Sequence, residues 1–190
     1  MSQKTGDHES RGAGGFPDRE ARAKKSESPA WRTCGETMPS IALESPLTPD
    51  LALLFARHEA DMHADTPPES IHMLDRAALE APGIWFFVMR EEGEPVAMGA
   101  FKRIGPDHAE IKSMHVLAEA RGRGLSRRML EHLIDAARAE GFSRLSLETG
   151  VQPTFVAARA LYANAGFEDC PPFEGYRDDP NSVFMTKMLA

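Results

Sequence analysis

Between residues 84 and 116 the chain reads as three strand-length apolar runs separated by two tight turns, and no other feature restricts its fold as much. Ile84-Trp85-Phe86-Phe87-Val88-Met89 has the aromatic and β-branched content of a buried strand, and Pro82-Gly83 bounds it upstream. Glu92-Gly93-Glu94 makes a turn, residues 96–103 form the next strand, Gly105-Pro106-Asp107 turns again, and residues 109–116 are the third. Strands joined by connections this short pair antiparallel, because a parallel crossover needs a dozen residues or more. The centre of the molecule is therefore predicted to be a meander.

After Val116 the apolar period changes from two to about 3.6 residues. Leu125, Met129, Leu130, Leu133, Ile134 and Ala137 make one helical stripe that Gly141 ends. Residues 143–148 alternate like a strand, residues 154–165 return to helical spacing, Gly166-Phe167 closes that helix, and residues 182–188 form a last strand. The fold class is α/β (α+β): a mixed sheet in which a meander is followed by strand-helix-strand-helix-strand.

Upstream of the meander, regular patterning begins at Ile41-Ala42-Leu43. From Asp50 onward Leu51, Leu54, Phe55 and Met62 share one helical stripe that ends around Ala64. Thr66-Pro67-Pro68-Glu69 then reads as a helix start. Thr66 is placed to cap, Pro67 to occupy the first helical position and Glu69 to complete a capping box, so a second short helix is expected to run to about Leu79. Residues 1–37 are rich in Gly, Ser, Lys, Arg and Glu and hold almost no large apolar side chain. Such a segment cannot bury enough surface to offset chain entropy; it is expected to be a disordered extension preceding one domain over residues 38–190.

Composition excludes several functions. A formal charge of -7 removes the electrostatic reason for nonspecific nucleic-acid affinity. The two cysteines, Cys34 and Cys170, cannot assemble a disulfide framework or a four-ligand zinc site. No apolar run approaches the roughly 20 residues needed to cross a bilayer, and residues 1–37 lack the apolar core of a secretory signal. The expectation is a cytoplasmic protein with no nucleic-acid, membrane or metal partner.

The segment that carries chemistry is Arg121-Gly122-Arg123-Gly124-Leu125-Ser126. It lies between a strand and the start of an amphipathic helix, where unpaired N–H groups face the loop at the positive end of the helix dipole. Gly122 and Gly124 let the backbone curl closely around an anion. Arg121, Arg123, Arg127 and Arg128 add charge around the same spot. The chain has no G-x-x-x-x-G-K-[ST] nucleotide loop, and a disordered RGG-type RNA segment would not open a helix.

With this loop following Ile111-Lys112-Ser113-Met114-His115-Val116 and preceding Leu161-Tyr162-Ala163-Asn164-Ala165-Gly166-Phe167, the chain resembles the GNAT superfamily of N-acetyltransferases over roughly residues 40–190. The first segment matches the signature Q/R-x-x-G-x-G/A, with Ser126 in the last small position. The second matches L-Y-x-x-x-G-F in full. Residues 66–70, 147–150 and 171–185 look like a bacterial subgroup of small acetyltransferases.

The resemblance implies a GNAT fold with helices on both faces of the sheet and acetyl-CoA as co-substrate, held by Arg121, Gly122, Arg123, Gly124, Leu125, Ser126 and Arg127. It implies a bulged strand whose backbone at Met114, His115 and Val116 pairs with the pantetheine arm and the thioester. It also implies that Tyr162 returns a proton to the departing thiolate, and that His58, Glu69 and His72 flank the acceptor. Where the family often has an Asn contact to the cofactor, this chain has Phe155. An attacking amine must lose a proton, and Glu110 and Glu148 are the candidate bases by location.

The implied function is acetyl transfer to the primary amine of a small molecule. A non-catalytic acyl-CoA-binding module and a protein lysine or N-terminal acetyltransferase are the alternatives. Chain length and sheet edges are consistent with a homodimer.

Overall fold

A computed structural model describes residues 38–189; the expected disordered extension over residues 1–37 lies outside them. The strands are β1 (Ser40–Leu43), β2 (Ile84–Glu91), β3 (Glu94–Arg103), β4 (His108–Val116), β5 (Arg144–Gly150), β6 (Glu168–Asp169) and β7 (Ser182–Met188). They form one sheet in the order β1-β2-β3-β4-β5-β7-β6. Every neighbouring pair is antiparallel except β4 and β5, which run parallel because helix α2 (Leu125–Ala139) crosses between them. Helices α1 (Ala52–Asp65) and α3 (Val156–Asn164) complete the set.

Two adjacent aromatics on β2 show how the layers are built. Successive strand residues point to opposite faces. Phe86 stacks on Phe55 of α1 at 5.7 Å, while Phe87 meets the edge of His132 of α2 at 4.7 Å. Helices α1 and α2 therefore cover opposite faces of the sheet, and this explains why β2 is apolar without alternation, with residues 85–89 all buried. Leu125, Met129, Leu130, Leu133, Ile134 and Ala137 of α2 are all buried, the stripe expected from their spacing.

The meander carries one irregularity that shapes everything downstream. On β3 only Gly99 lies between Met98 and Ala100, but their partners on β4 are His115 and Lys112, so Ser113 and Met114 together oppose one residue. This is a β-bulge. Ser113 takes a φ of 52°, which a non-glycine residue adopts at a cost. Gly99 is glycine because a Cβ there would meet Leu133 Cδ1 at 3.0 Å and Met129 Cγ at 3.3 Å; helix α2 presses directly onto the bulge.

The expected second helix after Thr66 does not form. Residues 68–70 and 78–80 make single 3-10 turns with an irregular, largely extended segment between them. The tandem proline is the reason: a residue before proline is driven out of the helical region, and Pro67 accordingly sits at φ -56°, ψ 139°. Thr66 makes no cap. Its Oγ1 is buried without a hydrogen-bond partner at the end of α1. The two-residue strand β6, pairing with β7 at Glu168↔Thr186 and Asp169↔Met185, was too short to carry a periodic signal.

Candidate active site

Strands β4 and β5 pair only over His108↔Arg144, Ala109↔Leu145 and Glu110↔Ser146. From Ile111 they part, and the opening holds a narrow inner cleft of about 110 Å³ lined from both strands. On one side it adjoins a cleft of about 530 Å³ where the cofactor is expected, the cofactor cleft below, with His58, Met62, Met114, Phe155, Ala158 and Tyr162 shared between the two. On the other it adjoins an outer cavity of about 780 Å³, with His72, Met73 and Lys112 shared. The three spaces adjoin one another along the gap in the sheet.

The cofactor cleft ends at the start of α2. Gly122 and Gly124 both sit at φ 77°, left-handed backbone that favours glycine. A Cβ at either would meet nothing within 4 Å, so glycine serves the backbone angle and leaves open space above the loop. No side chain caps α2, and its first-turn N–H groups face that space. Gly122, Gly124, Leu125, Ser126, Arg121 and Arg127 all line it, as do Met114, His115 and Val116 from the end of β4.

Arg123 is the exception among the expected cofactor residues. Its guanidinium turns away to the Glu91 carboxylate at the end of β2, and it does not line the cleft. Arg121 donates from Nε to the Val116 carbonyl at 3.0 Å and from Nη2 to Asp61 Oδ2 at 2.6 Å. Arg127 pairs with Glu131 one turn on, at 2.8 Å.

Two buried histidines stand between the clefts. His58 of α1 and His115 of β4 have ring centres 5.4 Å apart. Burial pushes both down to about 4, with the neighbouring His115 adding to the effect on His58 and the Arg121 charge adding to that on His115. Both are neutral at pH 7. His115 Nε2 is buried with no hydrogen-bond partner, and Nδ1 is 3.9 Å from Asp61 Oδ2.

Tyr162 of α3 lines both the cofactor and inner clefts and is 7% exposed. Burial, helped by the charge of Glu148, pushes its phenol up to about 12, so it holds its proton at neutral pH. Glu148 of β5 lies in the inner cleft and accepts from Ser182 Oγ at 2.6 Å. Burial raises its carboxyl above the usual range against the opposing pull of that hydrogen bond. The ring of Phe155 lies over Gly150, where a Cβ would come within 2.6 Å of it, so Phe155 contributes an apolar wall where an Asn would contribute a hydrogen bond.

Glu110, the other candidate base, is engaged. It is 4% exposed, pairs with Lys112 Nζ at 2.8 Å and accepts from Tyr176 Oη at 2.6 Å. Lys112 also donates to Tyr176 Oη and to the His72 carbonyl. The Tyr176 phenol is raised by burial and by the Glu110 charge. Lys112, Tyr176 and Asp61 also line these clefts, and sequence patterning assigned none of them a role; Tyr176 lies in the 171–185 stretch that looks like the subgroup, which was its only signal.

The three expected acceptor residues occupy different places. Glu69 stands at the outer cavity, His72 between the outer cavity and the inner cleft, and His58 between the inner and cofactor clefts. Among the described residues no group of three or more His, Cys, Asp or Glu side chains could hold a metal ion, and no helix is long and apolar enough to cross a membrane.

A sheet parted beside a glycine-bearing anion loop defines an acyl-CoA-dependent transferase fold, and the comparisons agree. The chain belongs to the acetyltransferase (GNAT) family, whose profile matches residues 51–167, and it is an acetyl-CoA-dependent N-acetyltransferase. It is 44% identical to the uncharacterized N-acetyltransferase YsnE of Bacillus subtilis (strain 168) over 136 residues, which are 72% of this chain and 90% of that one. It is 42% identical to the IAA acetyltransferase of Azospirillum brasilense over 152 residues, 79% of this chain and 97% of the relative. Among solved structures, a chain assigned as an acyl-CoA N-acyltransferase from Klebsiella pneumoniae superposes with a TM-score of 0.67 at 28% identity, covering 80% of this chain and 99% of its own.

Proposed function

We propose that this enzyme acetylates the primary amine of a small molecule by direct attack on the thioester, without an acetylated enzyme intermediate. The observation that carries the reading is the arrangement of the clefts: the expected cofactor cleft and the outer cavity each share walls with an inner cleft lined by Glu148 and Tyr162. The diphosphate of acetyl-CoA fits the N–H groups of Gly122 to Ser126, and the pantetheine arm lies along the backbone of Met114, His115 and Val116. That arm brings the thioester to Tyr162.

The inner cleft admits a slender group. Its volume of about 110 Å³ and its Met62, Met73 and Met114 walls suit an amine on an unbranched aliphatic arm, while the outer cavity of about 780 Å³ takes the body of the acceptor beside Glu69 and His72. The name of the Azospirillum relative likewise points toward a small molecule.

In the reaction the ammonium gives a proton to Glu148, and the free nitrogen attacks the acetyl carbon. The carbonyl oxygen becomes an oxyanion facing main-chain donors of β4, each worth about 3 to 4 kcal/mol in comparable sites. The oxyanion then collapses, the carbon–sulfur bond breaks and Tyr162 gives its proton to the departing thiolate, while the attacking nitrogen, positively charged on bonding, sheds its second proton to water and Tyr162 is reprotonated from water. Glu148 is preferred over Glu110 as base because Glu110 is already held by Lys112 and Tyr176.

A carboxyl group must be ionised to accept a proton, so activity is lost as pH falls through the raised value of Glu148. The acid limb of kcat/KM is expected above the usual carboxylate range. The test is release of CoA thiol with a panel of aliphatic amines, for the wild type and Glu148→Gln. The variant is expected to lose about 100-fold in kcat, in the range of general base catalysis, together with the acid limb. CoA binding by the wild type with no turnover across the panel would overturn the assignment of a small aliphatic amine as acceptor.

A further inference from the structure

The cofactor cleft contains one feature that works against its ligand. Among the residues lining it, Asp61 is the sole carboxylate, in a space otherwise formed by apolar side chains, two arginines, neutral histidines and the glycine loop. A negative charge beside a diphosphate is unfavourable. Its partner is Arg121, the first residue of the anion loop, at 2.6 Å, with both side chains about half exposed. The carboxylates that pair with the other loop arginines, Glu91 and Glu131, do not line the cleft.

We propose that Asp61 is a positioning residue that stands in for the diphosphate in the empty enzyme and competes with it for Arg121. Two contacts and one placement define the device. Arg121 Nε is fixed on the Val116 carbonyl at 3.0 Å, which ties the guanidinium to the end of β4. Its Nη2 faces Asp61, which ties the loop to the last turns of α1. Asp61 itself comes from the same helical face as His58 and Met62, the two α1 residues that wall both the cofactor and the inner cleft.

When a diphosphate enters, Arg121 can turn its outer nitrogen to the phosphate without losing its anchor on Val116. Asp61 then gives up its ion pair. The internal anion thus holds the loop ordered while the cleft is empty and lowers affinity for every ligand that carries the diphosphate, including the product CoA. Ligands that lack a diphosphate escape the competition.

This inference rests on the reading that the cleft binds acetyl-CoA at the glycine loop. Calorimetry on the purified full chain with CoA, and steady-state KM with acetyl-CoA and with S-acetyl-pantetheine, test it. Asp61→Asn keeps an acceptor for Arg121 but removes the charge. It is expected to tighten CoA binding about threefold to fivefold, the upper range for a half-exposed ion pair, and to lower KM for acetyl-CoA by a similar factor. KM for S-acetyl-pantetheine should stay unchanged, and Asp61→Glu should restore the wild-type affinity for CoA. In an Arg121→Gln background the Asp61→Asn effect should vanish. Unchanged or weaker CoA binding by Asp61→Asn, or an equal shift for S-acetyl-pantetheine, overturns the role of Asp61. Full CoA affinity in Gly124→Trp would instead remove the site from the loop and so overturn the parent reading.

Discussion

The cofactor cleft and the outer cavity lie on either side of the inner cleft and are made in different ways. The cofactor end is built from backbone: two left-handed glycines, the open first turn of α2 and the bulged end of β4. The outer end is built from side chains that arrive from distant parts of the chain, with Glu110 and Lys112 on β4, His72 after the tandem proline, and Tyr176 from the segment between β6 and β7. A site made of main chain is set by local dihedrals and tolerates variation in side chains. A site made of side chains depends on a buried ion pair and aromatic contacts, and its specificity changes with single substitutions.

The strongest challenge to this division is Gly124→Trp. A bulky side chain at φ 77° strains the loop and fills the space over the N–H groups, so CoA binding should fall by more than about 100-fold in calorimetry. Tyr162→Phe acts at the junction. It should leave CoA affinity intact and lower kcat by about 10-fold to 100-fold, because only the proton donor is lost; full turnover across pH would remove Tyr162 from the chemistry.

Tyr176→Phe probes the other end alone. It removes the hydroxyl that joins Glu110 and Lys112, and KM for the amine is expected to rise about 10-fold while KM for acetyl-CoA stays fixed. A matching rise for acetyl-CoA would show that the two ends are not separable. The smallest effect belongs to the buried histidines. Their folded-state values of about 4 lie below the unfolded value near 6.5, so the unfolded chain binds more protons between those limits. Their contribution to stability is complete above pH 6.5 and is lost as pH falls toward 4. His58→Gln should flatten that part of a plot of melting temperature against pH.

The same division explains what the sequence discloses. The anion loop is contiguous, and its glycines immediately precede an apolar stripe, so its position and its role in ending a strand and starting a helix are local signals. The meander is equally local, since each turn stands beside the strands it joins. Glu110 is easily placed near the start of a strand, but its partner Tyr176 is 66 residues away, and nothing in either neighbourhood announces the contact. Asp61 meets Arg121 across 60 residues. The helix expected after Thr66 fails for a different reason. A capping box and an initial proline are each sound signals, but a second proline directly after the first keeps the chain from winding.

The three rungs that join β4 to β5 give the sheet a seam. On one side lies the meander and on the other β5, β7 and β6, each half well zipped internally and only lightly tacked to the other. With the pantetheine arm laid in that seam as proposed, the cofactor takes the place of a strand, and loading the enzyme is then the final stitch of its architecture as well as the first step of its turnover.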